Sequence, residues 1–102
     1  MTSGFAAVKE IVAPIAARYG VEKMVLFGSR ARGDHRADSD YDFLISSGKL
    51  KSALTFNAFW TDLEDALHSP VDLVSDASFD DALISQAQKD GVLVYGSERY
   101  IR

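Results

Sequence analysis

Residues 27–45 read Phe27-Gly28-Ser29-Arg30-Ala31-Arg32-Gly33-Asp34-His35-Arg36-Ala37-Asp38-Ser39-Asp40-Tyr41-Asp42-Phe43-Leu44-Ile45, and two features of that stretch decide the fold. The apolar run Met24-Val25-Leu26-Phe27 stops at Gly28, so a buried strand gives way to a turn with exposed backbone amides. Amides presented in this way can grip an anionic phosphate. After Ser29 and ten intervening residues, Asp40-Tyr41-Asp42 leads into a second extended segment. Alternate side chains of a strand share a face, so Asp40 and Asp42 are expected to converge while Tyr41 and Phe43 point the other way. Two convergent carboxylates suit Mg²⁺, which is usually held by one or two carboxylates together with substrate phosphates.

Outward from this stretch, apolar and polar residues alternate in recognisable periods. Val8, Ile11, Val12, Ile15 and Tyr19 recur at helical spacing, which predicts an amphipathic helix over 4–19, with Pro14 as the point of a kink or break and Gly20 as its stop. A first strand is expected over 21–27, a single helical turn over 29–33 and a second strand over 41–46. That helical turn would direct its free amides toward a bound phosphate. Leu54, Ala58, Phe59, Leu63, Ala66 and Leu67 predict a long helix over 52–68, ended by Pro70. A third strand follows at Val71-Asp72-Leu73-Val74. Ser78 or Asp80 would cap a last helix reaching Lys89, with Leu83, Ile84 and Ala87 on its buried face, before a strand or coil at Val92-Leu93-Val94-Tyr95. Strands interleaved with helices predict an α/β chain of the α+β type, a small mixed sheet flanked by helices, in one domain over residues 1–102. The loop between the first two strands is too short for a helical crossover, so those strands should pair antiparallel.

Composition bounds the function. At 102 residues, with 47% apolar residues and both charge signs common, the chain reads as globular. It has no cysteine, which excludes disulfides and thiolate metal sites and is compatible with a cytoplasmic location. Neither a signal peptide nor a membrane-length apolar run appears. A net charge of −4 argues against general nucleic-acid binding. Arg30, Arg32, His35 and Arg36 nevertheless crowd between the turn and the aspartates. This local basic loop suits a polyphosphate, or is a solvated segment paired with Asp34 and Asp38.

Asp72 interrupts an otherwise apolar strand, and an unpaired buried carboxylate would be costly. Either it faces water at a strand edge, or the third strand lies beside the second and Asp72 joins Asp40 and Asp42. Such a cluster could hold two Mg²⁺ ions, one on a triphosphate and one activating a hydroxyl, with Asp72 as the proton acceptor. Phosphoryl and nucleotidyl transfer rest on positioning and charge neutralisation, which a small fold can supply.

Together, Gly28-Ser29, Asp40-Tyr41-Asp42 and the later Asp72 resemble the nucleotidyltransferase superfamily related to DNA polymerase beta. The flanking Phe27-Gly28-Ser29-Arg30-Ala31-Arg32-Gly33 and Ser39-Asp40 are similar to the minimal nucleotidyltransferases that act as MntA antitoxins beside a HEPN-domain ribonuclease toxin. The resemblance spans nearly the whole chain and implies a nucleotidyltransferase-like fold. It implies an enzyme that uses Mg²⁺ and ATP to transfer AMP onto a tyrosine of a HEPN-type toxin and so neutralises it. On this resemblance Gly28 and Ser29 would bind the triphosphate; Asp40, Asp42 and Asp72 would be catalytic and bind metal. Arg30 and Arg32 would touch phosphate or serve as helix-surface charges. Two alternatives stand beside this reading: a steric binding antitoxin or regulatory subunit, and a transferase acting on a small molecule such as an aminoglycoside. Elsewhere, His35 and His68 read as surface residues, and Phe56, Phe59 and Trp60 as core packing. Tyr95 and Tyr100 would lie in a mobile tail or face a partner, and Asp80-Asp81 would complement a helix dipole.

Overall fold

The computed structural model describes residues 4–33, 36, 39–46, 48–50, 52–75, 82, 85 and 89–96. Its elements run α1 (Gly4–Tyr19), β1 (Lys23–Phe27), α2 (Ser29–Arg32), β2 (Tyr41–Ser46), α3 (Ala53–Leu67), β3 (Val71–Ser75) and β4 (Val92–Tyr95). The expected helix and strand positions agree with these bounds to within two residues wherever both are described. The expected last helix falls largely outside the described residues; Ala82, Ser85, Lys89 and Asp90 are helical, and its proposed face of Leu83, Ile84 and Ala87 lies outside, as do His35, Asp80, Asp81 and Tyr100. The segment left open as strand or coil at Val92 is β4.

The strands form one mixed sheet in the order β3-β2-β1-β4. The short loop makes β1 and β2 antiparallel, as expected, with Met24 opposite Ile45, Leu26 opposite Phe43 and Phe27 opposite Asp42. Because α3 carries the chain back, β3 lies parallel to β2. Strand β4 adds antiparallel to the other side of β1.

Period-two alternation then sorts the two faces of the sheet. Met24, Leu26, Phe43, Ile45, Val71 and Val94 pack with Val8, Val12, Ile15 and Ala16 of α1 and Phe59, Leu63 and Leu67 of α3 into one core. The two helices are tied together above it: Tyr19 meets Phe59 edge-on at 5.5 Å, and its hydroxyl donates to Asp62 at 2.6 Å. Asp42 and Asp72 alternate with these core residues, so they belong to the opposite face. Helix α1 runs through Pro14 as one helix. Proline deprives only the Glu10 carbonyl of its donor, and both residues are exposed, so that carbonyl lies on the water side. Helix α3 begins at Ser52, whose hydroxyl accepts from the Thr55 amide at 3.4 Å. It ends at His68, which adopts a left-handed conformation two residues before Pro70.

Candidate active site

The site gathers at one end of the sheet, where β1 ends and β2 and β3 begin. Gly28 leaves β1 with φ 80° and ψ −157°. A Cβ built there would lie 2.5 Å from Asp42 Oδ2 and 3.4 Å from its Cγ. Glycine is therefore required twice, for the positive φ and for the volume occupied by the Asp42 carboxylate. Beyond it, the amides of Ala31 and Arg32 donate to the Gly28 carbonyl, each at 3.1 Å, and that of Gly33 to the Ser29 carbonyl at 2.9 Å, closing the single turn of α2.

Asp42 and Asp72 stand opposite one another on adjacent parallel strands. Burial pushes the Asp42 carboxyl up to about 6, with the negative charges of Asp72 and then Asp40, and a side-chain hydrogen bond with Asp72, adding to the shift; the Arg32 cation opposes it. Asp42 is half-buried, whereas Asp40 and Asp72 are exposed. The sheet thus brings Asp42 and Asp72 together, and Asp40, two residues earlier, adds its field. Among the described residues no three acidic or imidazole side chains already form a metal cage. A closed cage is not what Mg²⁺ demands, because phosphates and water complete its octahedron. The donor chemistry, carboxylate oxygen with negative charge in excess, suits such a cation.

The two arginines part company. The Arg30 guanidinium donates from Nε and Nη2 to the Ser39 carbonyl, at 3.1 and 2.9 Å, and lies 4.0 Å from the centre of the Tyr41 ring. It clasps the residues on either side of Asp40. Arg32 is exposed, and its charge reaches Asp42. Ser39 also closes a turn, its hydroxyl accepting from the Arg36 amide at 2.8 Å. Tyr41 stacks on Phe43 with ring centroids 6.2 Å apart, on the face away from Asp42.

On the third strand, two side chains of α3 hold the residue before Asp72. Trp60 Nε1 donates to the Val71 carbonyl at 2.6 Å, and Glu64 Oε2 accepts from the Val71 amide at 3.0 Å. The sequence pattern had marked Trp60 for packing with Phe56, and the two rings do meet edge-on at 5.8 Å. It gave no reason to single out Glu64. Its one signal, the i,i+4 spacing to Trp60, acquires meaning only when α3 is seen beside β3.

Known proteins resemble the chain as a whole. The family model described as Polymerase beta, Nucleotidyltransferase matches residues 9–100. The protein adenylyltransferase MntA of Thermococcus cleftensis is 34% identical over 77 residues, 76% of this chain and 78% of that protein. A chain from a crystal structure of a toxin-antitoxin with AMP-PNP superposes with a TM-score of 0.75 at 22% identity, covering 89% of this chain and 75% of the other. A chain from a complex of a tri-AMPylated Shewanella oneidensis HEPN toxin with an MNT antitoxin gives 0.70 at 20% identity, over 93% and 75%. The last two likenesses are of fold.

Proposed function

The chain belongs to the polymerase beta nucleotidyltransferase family, and on that premise we propose that it transfers AMP from ATP to a tyrosine hydroxyl of a HEPN-type toxin, acting as its antitoxin. The observation that carries the reading is the meeting of Asp42 with Asp72 across β2 and β3, beside the Gly28 turn. The relatives supply the acceptor class: one is named a protein adenylyltransferase, and another structure contains an AMPylated HEPN toxin with an MNT antitoxin.

In this reading the Gly28-Ser29 turn receives the triphosphate through backbone amides and the Ser29 hydroxyl. Asp40, Asp42 and Asp72 would hold Mg²⁺, which when bound supplies charge neutralisation along the triphosphate and acidifies the acceptor hydroxyl. Asp72, exposed and on an edge strand, accepts the proton from the incoming hydroxyl. The acceptor oxygen forms a bond to the α-phosphorus, the bond between that phosphorus and the bridging oxygen to the β-phosphate breaks, and pyrophosphate leaves. Arg32 offsets negative charge near Asp42, while Arg30 holds the loop that delivers Asp40.

The test is the mass of the partner protein after incubation with ATP and Mg²⁺. Wild type should add one or more AMP units, and the double variant Asp40→Ala with Asp42→Ala none, a loss of at least about a thousandfold in rate. If the double variant still silences the toxin as well as wild type, inhibition is by binding and the catalytic reading fails.

A further inference from the structure

We infer that Trp60 and Glu64 are positioning residues for Asp72, acting together on the backbone of Val71; the inference rests on the metal-dependent transferase reading above and deepens it. Strand β3 lies at the edge of the sheet, with β2 as its neighbour there. Within a strand, the N–H and C=O of one residue point to the same side, so alternate residues address the neighbouring strand and the open edge. The Pro70 carbonyl accepts from the Tyr41 amide at 3.0 Å, which ties the chain to β2 just before the strand. Val71 presents its own pair of groups to α3, and both are used: the carbonyl by Trp60 Nε1 at 2.6 Å and the amide by Glu64 Oε2 at 3.0 Å.

Trp60 and Glu64 are one helical turn apart on α3 and so project from one face of it. One supplies a donor and the other an acceptor, the same complement that a further strand would offer. Among the described residues, the two side chains therefore take the place of a further strand at the point where an edge strand would otherwise fray. Asp72 is the next residue. Its side chain is exposed and meets Asp42 through a side-chain hydrogen bond, while Val71 is buried to 3% exposure. The backbone at Val71 thus sets where the Asp72 side chain begins, and so whether its carboxylate reaches Asp42. The Glu64 contact is a charge-assisted hydrogen bond, stronger than a neutral one, and loss of its carboxylate leaves a buried amide without an acceptor.

The measurement is Mn²⁺ binding to the intact chain in the presence of a non-hydrolysable ATP analogue, followed by electron paramagnetic resonance. Amide hydrogen exchange at Val71 and Asp72 is read in parallel without metal. Glu64→Ala should weaken Mn²⁺ binding about tenfold, in the range for loss of a residue that supports a metal ligand. It should also speed exchange at both amides. Glu64→Gln keeps an acceptor at the same reach and should restore both properties to near wild type. Trp60→Phe keeps a smaller aromatic ring but removes the donor, and should give an intermediate loss of Mn²⁺ affinity. Equal affinity in Glu64→Ala and wild type would overturn the inference, as would Glu64→Gln behaving like Glu64→Ala. If Glu64→Ala does not fold, Trp60→Phe decides alone, and its unchanged affinity would be fatal. A wild-type chain that takes up neither Mn²⁺ nor the analogue would instead overturn the metal-dependent reading, and this inference with it.

Discussion

Gly28 and Asp42 form a single packing unit, because the space a side chain would take at one is filled by the carboxylate of the other. Gly28→Ala must accommodate a Cβ 2.5 Å from Asp42 Oδ2 as well as a left-handed φ. We expect it to cost about 1–3 kcal/mol of stability in urea denaturation. It should also reduce AMP transfer more than that stability loss explains; a variant with wild-type transfer would refute the unit. Asp42 itself carries a second consequence. Its carboxyl is raised from 3.8 to about 6 in the folded chain, so the folded state holds an extra proton between those values. The stabilisation is fully present below the unfolded pKa and is lost as pH rises through about 6. In EDTA, the melting temperature of wild type should therefore fall across that window. Asp42→Asn should flatten the fall and gain up to about 1 kcal/mol at pH 7, once solvent screening of a half-buried group is allowed for, while abolishing transfer. An unchanged pH profile in Asp42→Asn would show that the Asp42 carboxyl is not raised in the folded chain.

Between elements, the loop from α2 to β2 depends on Arg30. The sequence left Arg30 as either a phosphate ligand or a surface charge, and the structure engages its guanidinium with Ser39 and Tyr41. The two roles separate kinetically. Lysine keeps the charge but not the planar fork. Arg30→Lys should therefore lower kcat several-fold with little change in KM for ATP if the clasp is what counts; a raised KM at unchanged kcat would return Arg30 to the phosphates. The reason this was not legible lies in range. Helices α1 and α3 and the strands announce themselves through local periodicity, and even the antiparallel pairing of β1 with β2 follows from a short loop. The clasp of Arg30 on Ser39 and the grip of Trp60 and Glu64 on Val71 join separate elements, and no local pattern encodes such a meeting. Asp72 is the intermediate case: its polarity within an apolar strand was visible, whereas its place opposite Asp42 required β3 to lie parallel beside β2. Of the kink or break expected at Pro14, the break does not occur: α1 continues through its exposed position.

At the scale of the molecule, the sheet divides labour between its faces. Helices α1 and α3 bury Met24, Leu26, Phe43 and Ile45 on one side, and the alternation that puts those residues inward puts Asp42 and Asp72 on the other. Folding and chemistry thus draw on alternate residues of the same strands. Asp40 and Asp72 are exposed, and β3 is an edge strand among the described residues, so within these the carboxylates line an open margin of the sheet. An open margin gives a small acceptor few walls to hold it, whereas a protein acceptor brings its own complementary surface and positions its hydroxyl by that contact. With ATP and Mg²⁺, the chain should therefore modify a HEPN-type partner at least about a hundredfold faster than a free aminoglycoside such as kanamycin, the difference that misplacement of a reacting group by an ångström produces. Competition in one tube, with both products read by mass, makes the comparison direct. Comparable rates on the two acceptors would mean that the open margin is a small-molecule site, and would move the proposed substrate from a protein tyrosine to a free hydroxyl.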